Sequence, residues 1–358
     1  MRLLLLPFSW IYGWVVAYRN YLYDKGIKSS YRFGIAVINV GNLSTGGTGK
    51  TPHIEYLIRL LKDKYKIAVL SRGYGRKSKG FLLVRKHTSV IQSGDEPAQI
   101  KNKFPDIHVA VCEKRVKGCF NLIATYPELE VILLDDAYQH RSVKAGMNIL
   151  LTSYGRMYSQ DRLLPAGNLR EPQSSSERAD IIVVTKVPAN LSEKNQQEIA
   201  NQIDPQKSQA LFLSELRYGK FVDIKDANKT MDMEAFSSLK SAILLTGIAR
   251  SNKIVQDLTK LNSNIFHIKY NDHHNYSVTD VKKIVRNAQQ HSSIVVTTEK
   301  DAIKLLQPEL KLHLDPVQVY YLPIEVDFHK KDKTHFDNKI LTYVEKSKRN
   351  RKSPPSQN

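Results

Sequence analysis

The sequence predicts an α/β protein with two units, each a largely parallel sheet flanked by helices, separated by a short β connection. Three observations carry this. From about residue 31 to 207, apolar runs alternate with helical patterns, the signature of a sheet with helical crossovers. The first run leads directly into a glycine-rich loop that ends in Lys-Thr. A second alternating series starts at Ala242, beyond a stretch of different character at 208–232.

The elements follow in order. From Leu3 to Tyr18 no residue is charged, Arg2 and Arg19 bracket the run, and both tryptophans of the chain, Trp10 and Trp14, fall inside it. With Tyr18 they recur every four residues, which sets three rings on one helical face; Trp and Tyr favour the membrane–water interface. A helix over Leu3–Tyr18 covers only ~24 Å against a hydrocarbon thickness of ~30 Å. Residues 1–24 are therefore expected to lie in, or dip into, a membrane surface. A buried helix capping the next unit and a full span extended through Arg19 are the competing readings; a cleaved signal peptide lacks a clear A-x-A site.

In the unit 25–207, strands are predicted at Ile35–Val40, Ile67–Leu70, Phe81–Val84, His108–Val111, Val131–Leu134, Asn148–Leu151 and Ile181–Val184. Helices are predicted at His53–Leu61, Pro97–Lys103, Val116–Thr125 and Glu193–Gln202. Residues 208–232 read as two short strands around Gly219, an interdomain connection. The unit 233–345 repeats the alternation with strands Ala242–Leu245, Ile265–Tyr270, Ile294–Thr297 and Val317–Tyr321 and helices Ile254–Leu261, Thr279–Gln290 and Asp301–Leu306. The cationic run Lys346–Lys352 and the Ser/Pro residues after it read as a disordered basic tail, 346–358.

Ser44-Thr45-Gly46-Gly47-Thr48-Gly49-Lys50-Thr51 lies between a strand and a helix, the layout of a nucleotide-phosphate cradle. Glycines let backbone N–H groups turn toward phosphate oxygens, and the helix N-terminus adds partial positive charge. Lys50 can reach the outer phosphates and Thr51 can offer a hydroxyl to Mg²⁺. Ser44 stands where G-x-x-x-x-G-K-[ST] has its first glycine.

Asp135 and Asp136 end the apolar strand Val131–Leu134, where a P-loop enzyme needs a carboxylate for Mg²⁺. Asp135 is the natural ligand, and Asp136 can share that task or orient the acceptor. Asp95 precedes Pro97 at a helix start, where an N-cap is the simpler role. His273 and His274 follow the strand Ile265–Tyr270, at an expected cleft; adjacent side chains point apart. Arg72 and Arg76 sit in the glycine-punctuated loop Ser71–Arg76, suited to clamping phosphates or to a solvated turn. Arg170 and Glu171 lie in the Pro/Gly-bounded loop Arg162–Pro172, and Thr298 or Glu299 can cap a helix.

The formal net charge of +19 over 358 residues favours an anionic partner. No nucleic-acid-binding motif accompanies it. Cys112 and Cys119 are the only cysteines, so neither a disulfide framework nor a structural zinc site is expected.

Together these segments resemble the tetraacyldisaccharide 4'-kinase family, the lipid A 4'-kinases. The likeness rests on Gly41–Pro52, Ser71–Arg76, Gly94-Asp95-Glu96-Pro97, Asp135–His140, Leu163–Gly167 with Leu169–Pro172, Thr246-Gly247-Ile248-Ala249, Asp272-His273-His274 and Thr298–Asp301, in family order. Each motif is weak alone; eight in order are highly specific. Ala137-Tyr138 and Asn168 depart from the usual pattern without removing a functional group.

The resemblance implies two α/β/α sandwich domains, the first P-loop kinase-like, joined by a short β linker, with the active site between them. It implies transfer of the ATP γ-phosphoryl group to the 4'-hydroxyl of tetraacyldisaccharide 1-phosphate, giving lipid IVA, with ATP and Mg²⁺ as cofactors. It places Ser44 to Thr51 in the ATP cradle, Asp95 as base with His273 in support, and Asp135 and Asp136 near Mg²⁺ and the acceptor. Arg170 and Glu171 match a family loop of undivided roles and, with Arg72 and Arg76, are expected to bind the substrate. The expected location is the cytoplasmic face of the inner membrane of a Gram-negative bacterium, peripheral or monotopic, with no obligate protein partner evident. Two rivals share part of the evidence: a membrane-bound P-loop ATPase or GTPase switch, which has no use for an Asp95–His273 pair, and a nucleic-acid-binding module, which rests on charge alone.

Overall fold

A computed structural model of the chain describes residues 2–328 and 330–352. Strands β1 (Ala36–Asn42), β2 (Ile67–Ser71), β3 (Leu82–Leu83), β4 (His108–Val111), β5 (Val131–Asp135), β6 (Met147–Ser153), β7 (Ile181–Thr185) and β8 (Ala210–Tyr218) belong to one sheet. Strands β9 (Phe221–Asp223), β10 (Thr230–Met231), β11 (Ala242–Thr246), β12 (Ile265–Lys269), β13 (Ile294–Thr298) and β14 (Val319–Leu322) form a second, in the order β10-β9-β14-β13-β11-β12. The chain then returns: β15 (Ile324–Phe328) pairs antiparallel with β8 and completes the first sheet, β15-β8-β7-β6-β1-β5-β2-β4-β3.

The central strands of both sheets are parallel and carry almost wholly buried runs, as expected when helices cover both faces. Alternation along β1 divides the first core. Ala36, Ile38 and Val40 pack with Ile54, Leu57, Ile58 and Leu61 of the helix Lys50–Leu61, whereas Val37 packs with Cys119 and Leu122 of the helix Arg115–Thr125. Cys112 and Cys119 are free and buried.

The expected boundaries need correction. Residues 208–232 are not a separate linker: β8 belongs to the first sheet, β9 and β10 to the second, and the crossing is the turn at Gly219. Nor does the second unit run on to residue 345. After Pro323 the chain rejoins the first sheet, and the helix Lys330–Lys352 lays Phe336, Ile340 and Val344 on it. Their four-residue spacing makes one face, and each is at most 1% exposed, worth about 1.5–3 kcal/mol apiece. Residues 346–352, expected to be disordered, continue this helix; the rest of that tail, 353–358, lies outside the described residues.

The N-terminal helix spans Leu6–Asp24 after a 3₁₀ turn at Arg2–Leu5. Its narrow polar face docks. Ser9 donates to the Leu163 carbonyl at 3.1 Å and accepts from the Ala166 N–H at 2.9 Å, and the Tyr12 hydroxyl donates to the Arg170 carbonyl at 2.9 Å. Gly13 fits because a Cβ there would stand 2.8 Å from Leu163 Cδ1. The apolar face is left outward: Phe8, Trp10, Ile11, Trp14, Val15 and Tyr18 are all more than 60% exposed. Among the described residues no helix is long and apolar enough to cross a membrane.

Candidate active site

Adjacent strands β1, β5 and β2 end side by side, with Val40 in register with Asp135 and Leu70 with Leu134. The glycine-rich loop, the acidic pair and the arginine loop therefore open at one place, the carboxyl edge of the sheet. They line a cleft of about 530 Å³ that includes Thr45, Lys50, Arg72, Tyr74, Asp95, Asp135, Asp136, Arg170 and His273. Tyr12, Val16 and Arg19 of the N-terminal helix form its far wall.

The loop 44–51 is held by its carbonyls. Thr185 donates to the Thr48 carbonyl at 2.8 Å, Lys186 to that of Gly47 at 2.5 Å and Arg156 to that of Thr45 at 3.2 Å. Asn42 fixes the Thr48 hydroxyl at 2.9 Å, and Ser44 bridges to Leu169. Gly46 and Gly49 have φ of 103° and 87°, the left-handed region that a side chain disfavours. Among the described residues, the amides of Gly46, Gly47, Thr48 and Gly49 donate to no protein acceptor. Gly49 is the N-cap of the helix, which begins at Lys50 rather than at His53, so Thr51 occupies its first turn.

Behind the loop His53 is wholly buried. Burial pushes its imidazole down to about 4, against the bond to Gly49. A carbonyl can only accept, so Nδ1–H donates to the Gly49 oxygen at 2.7 Å, and Nε2 faces the Ser214 hydroxyl of β8 at 3.1 Å.

Asp135 is 1% exposed, and among the described residues neither carboxylate oxygen has a hydrogen-bond partner. Burial, with Glu96 and Asp136 nearby, pushes it up to about 7. Such a group fits a divalent cation or a bound phosphate's counter-ion, because either restores the charge that burial penalises. Asp136, at φ 49°, is the opposite case. Burial opposes its charge, but Lys50 at 3.7 Å and Arg170 at 2.8 Å outweigh that and hold its carboxyl below the usual range.

Asp95 is the first residue of the helix Asp95–Lys103, and Gly94 takes the N-cap place with no side-chain cap. The carboxylate is thereby free of capping and meets His273 Nδ1 at 2.9 Å, Lys304 Nζ at 3.4 Å and Lys300 Nζ at 3.8 Å. Burial works against its ionisation, yet the His273 bond and the two ammoniums hold it below the ordinary carboxylate range. His273 Nδ1 must supply the hydrogen that an ionised carboxylate accepts. His274 points away, stacked on Tyr270 and bonded to Asp280 at 3.2 Å.

Two residues expected to bind substrate stand elsewhere. Arg76 gives its guanidinium to Glu113 at 2.5 Å and to the Gly80 carbonyl at 2.6 Å, bracing its own loop. Glu171 is 0% exposed and accepts from Arg19 at 3.0 Å, Arg178 at 2.5 Å and Asn20 at 3.4 Å, tying down the N-terminal helix. Thr298 does cap, accepting the Asp301 N–H at 3.1 Å, while Glu299 instead meets Lys103 across the two sheets at 2.6 Å. Arg156, Lys186, Lys300 and Lys304 were not singled out from sequence. Only Lys300 lay within a recognised motif, Thr298–Asp301, which could have flagged it.

The family model described as tetraacyldisaccharide-1-P 4'-kinase (LpxK) matches residues 1–345. A tetraacyldisaccharide 4'-kinase of Phocaeicola vulgatus is 44% identical over 351 residues, covering 97% of this chain and 96% of the relative. One of Flavobacterium johnsoniae is 44% identical over 347 residues, covering 97% and 98%. The crystal structure of LpxK from Aquifex aeolicus in complex with ATP superposes with a TM-score of 0.74 at 31% identity, covering 96% of this chain and 99% of that one. With a family model, near-full-length relatives and a solved structure of the same fold in agreement, the chain belongs to the tetraacyldisaccharide 4'-kinase family.

Proposed function

We propose that the protein transfers the γ-phosphoryl group of ATP to the 4'-hydroxyl of tetraacyldisaccharide 1-phosphate, forming lipid IVA at the cytoplasmic face of an inner membrane. The observation that carries this reading is the Asp95–His273 pair, 2.9 Å apart, opening into the same cleft as Lys50 and Asp135. Phosphoryl transfer asks mainly for positioning and charge neutralisation. The undonated amides of Gly46 to Gly49, with Lys50, would hold the β- and γ-phosphates. Thr51 and Asp135 would hold Mg²⁺, which supplies charge neutralisation at the transferring group; the unpartnered oxygens of Asp135 suit that task.

Asp95 takes the proton of the sugar hydroxyl, and His273 keeps the carboxylate aimed. Asp136 holds Lys50 and Arg170 in place. Arg72, which lines the cleft and forms no ion pair among the described residues, offers charge to the acceptor's phosphate. The two sheets serve as cores of two domains, and the Asp95–His273 contact marks a closed cleft that opens between turnovers to exchange substrates. The outward Trp10–Trp14–Tyr18 face seats the enzyme on the membrane while the inner face walls the cleft, so an acyl chain can stay in lipid as the sugar enters.

The test is label transfer from γ-³²P ATP to the tetraacylated disaccharide 1-phosphate in detergent micelles. A labelled glycolipid is the expected product. Phosphate released to water at a rate indifferent to the lipid would replace this reading with that of a P-loop ATPase.

A further inference from the structure

The motifs Thr246-Gly247 and Thr298–Asp301 have no part in the chemistry above, yet they meet behind the Asp95–His273 pair. Lys304 is 0% exposed, with Nζ 3.4 Å from Asp95 Oδ2 and 3.5 Å from Asp301 Oδ1. Asp301, also 0% exposed, accepts the Gly247 N–H at 2.8 Å and the Thr298 hydroxyl at 2.7 Å. The Gly247 carbonyl accepts the N–H of His273 at 3.2 Å. His273 Nδ1 returns to Asp95. These contacts close a ring through Asp95, Lys304, Asp301, Gly247 and His273.

The ring is tight. A Cβ on Gly247 would stand 2.8 Å from Asp301 Oδ1. His273 has φ 57°, a conformation its surroundings must impose. A buried ammonium is costly unless paired, and an apolar side chain would fill the space without that cost. The charge of Lys304 therefore calls for an explanation other than packing.

We propose that Lys304 and Asp301 are positioning residues for phosphoryl transfer: the Lys304 ammonium, anchored by Asp301, holds the Asp95 carboxylate toward the cleft, while Asp301 fixes the Gly247 turn that presents His273. This rests on the activity proposed above and deepens it. The charged groups facing Asp95 are His273, Lys300 and Lys304 from the second sheet's side, with Glu96 next to it on its own helix and Asp272 3.8 Å from His273 Nε2.

The informative variant is Asp301→Asn/Lys304→Met, which removes both buried charges together and leaves neither orphaned. Melting temperature and ATP affinity should stay near wild type. Turnover should fall by about tenfold or more at unchanged KM for ATP, and the acid limb of its pH profile should move upward because Asp95 loses a facing cation. In an Asp95→Asn background the same pair should cost less than about twofold, since it acts through Asp95. Wild-type turnover and pH profile in the double variant, or a full additional loss in the Asp95→Asn background, would overturn the proposal. If the double variant fails to fold, Asp301→Asn alone should still lower turnover at unchanged KM; wild-type turnover there overturns it equally. Wild-type protein that never labels the glycolipid refutes the activity instead. The ring is then read from hydrogen exchange at the His273 amide, whose bond to the Gly247 carbonyl should loosen in the double variant; unchanged protection overturns it.

Discussion

Glu171→Gln should undock the N-terminal helix while sparing the glycine-rich loop 44–51. The carboxylate is 0% exposed and bonds Arg19 at 3.0 Å and Arg178 at 2.5 Å. At an effective dielectric near 20, a unit pair at 3.0 Å is worth about 5–6 kcal/mol gross. Most of this offsets desolvation, and removing one partner of a buried pair costs about 3–5 kcal/mol net. Here Arg19 is 36% and Arg178 23% exposed, so both can rehydrate, and glutamine keeps one acceptor oxygen. A cost of about 2–3 kcal/mol follows, which is roughly a 30- to 150-fold shift toward the undocked helix. Limited trypsin digestion at Arg19 reads this, because that residue lies inside the helix and is held by Glu171, so it is cut only once the helix has left the 163–171 loop. Cleavage should quicken by about that factor when docking equilibrates faster than cleavage, with ATP affinity preserved. An unchanged digestion rate would refute the assignment of Glu171 as the clasp.

Asp95→Asn should lower phosphoryl transfer by about 10²–10⁴-fold with ATP binding retained, measured by label transfer and calorimetry; near-normal turnover would remove the base assignment. Burial and the neighbouring Glu55 push Glu299 up to about 7, against the pull of Lys103. The folded chain then holds that proton more tightly than the unfolded one, so stability is greatest below about pH 4.3 at this site and is lost as pH rises toward about 7. Glu299→Gln should therefore raise the melting temperature above pH 7 and leave it little changed near pH 4; equal melting curves at pH 8 would contradict this. Replacing Trp10 and Trp14 by serine should weaken partitioning onto anionic liposomes by at least about tenfold, read by sedimentation; equal partitioning would count against the membrane-facing surface.

Much of the architecture was legible in the chain. The period-two and apolar runs placed β4 at His108–Val111 and most other strands within two residues, because a strand buried on both faces writes its length in consecutive Val, Ile and Leu. The alternating Ile324-Glu325-Val326-Asp327-Phe328 is also strand-like, but its partner is β8, 106 positions earlier in register terms at Tyr218–Ile324. No local pattern encodes a return of that length. Asp95 shows the same limit at the site. Its sequence context suits a cap equally well, and what decides is Gly94, whose φ of 90° takes the N-cap place and releases the carboxylate.

By itself, then, the sequence determined the parallel α/β layering, the glycine-rich loop from Ser44 to Thr51 between a strand and a helix, and the acidic end of β5, since each is written in contiguous residues whose geometry follows from hydrogen bonding and side-chain period. The tertiary structure alone decided which charges meet. It sent Arg76 and Glu171 to bracing roles and brought Lys304 and Asp301 behind His273. Ionic contacts of a few ångströms between residues far apart in the chain depend on how two sheets are set against each other, and that relation is fixed by the packed cores rather than by any local stretch.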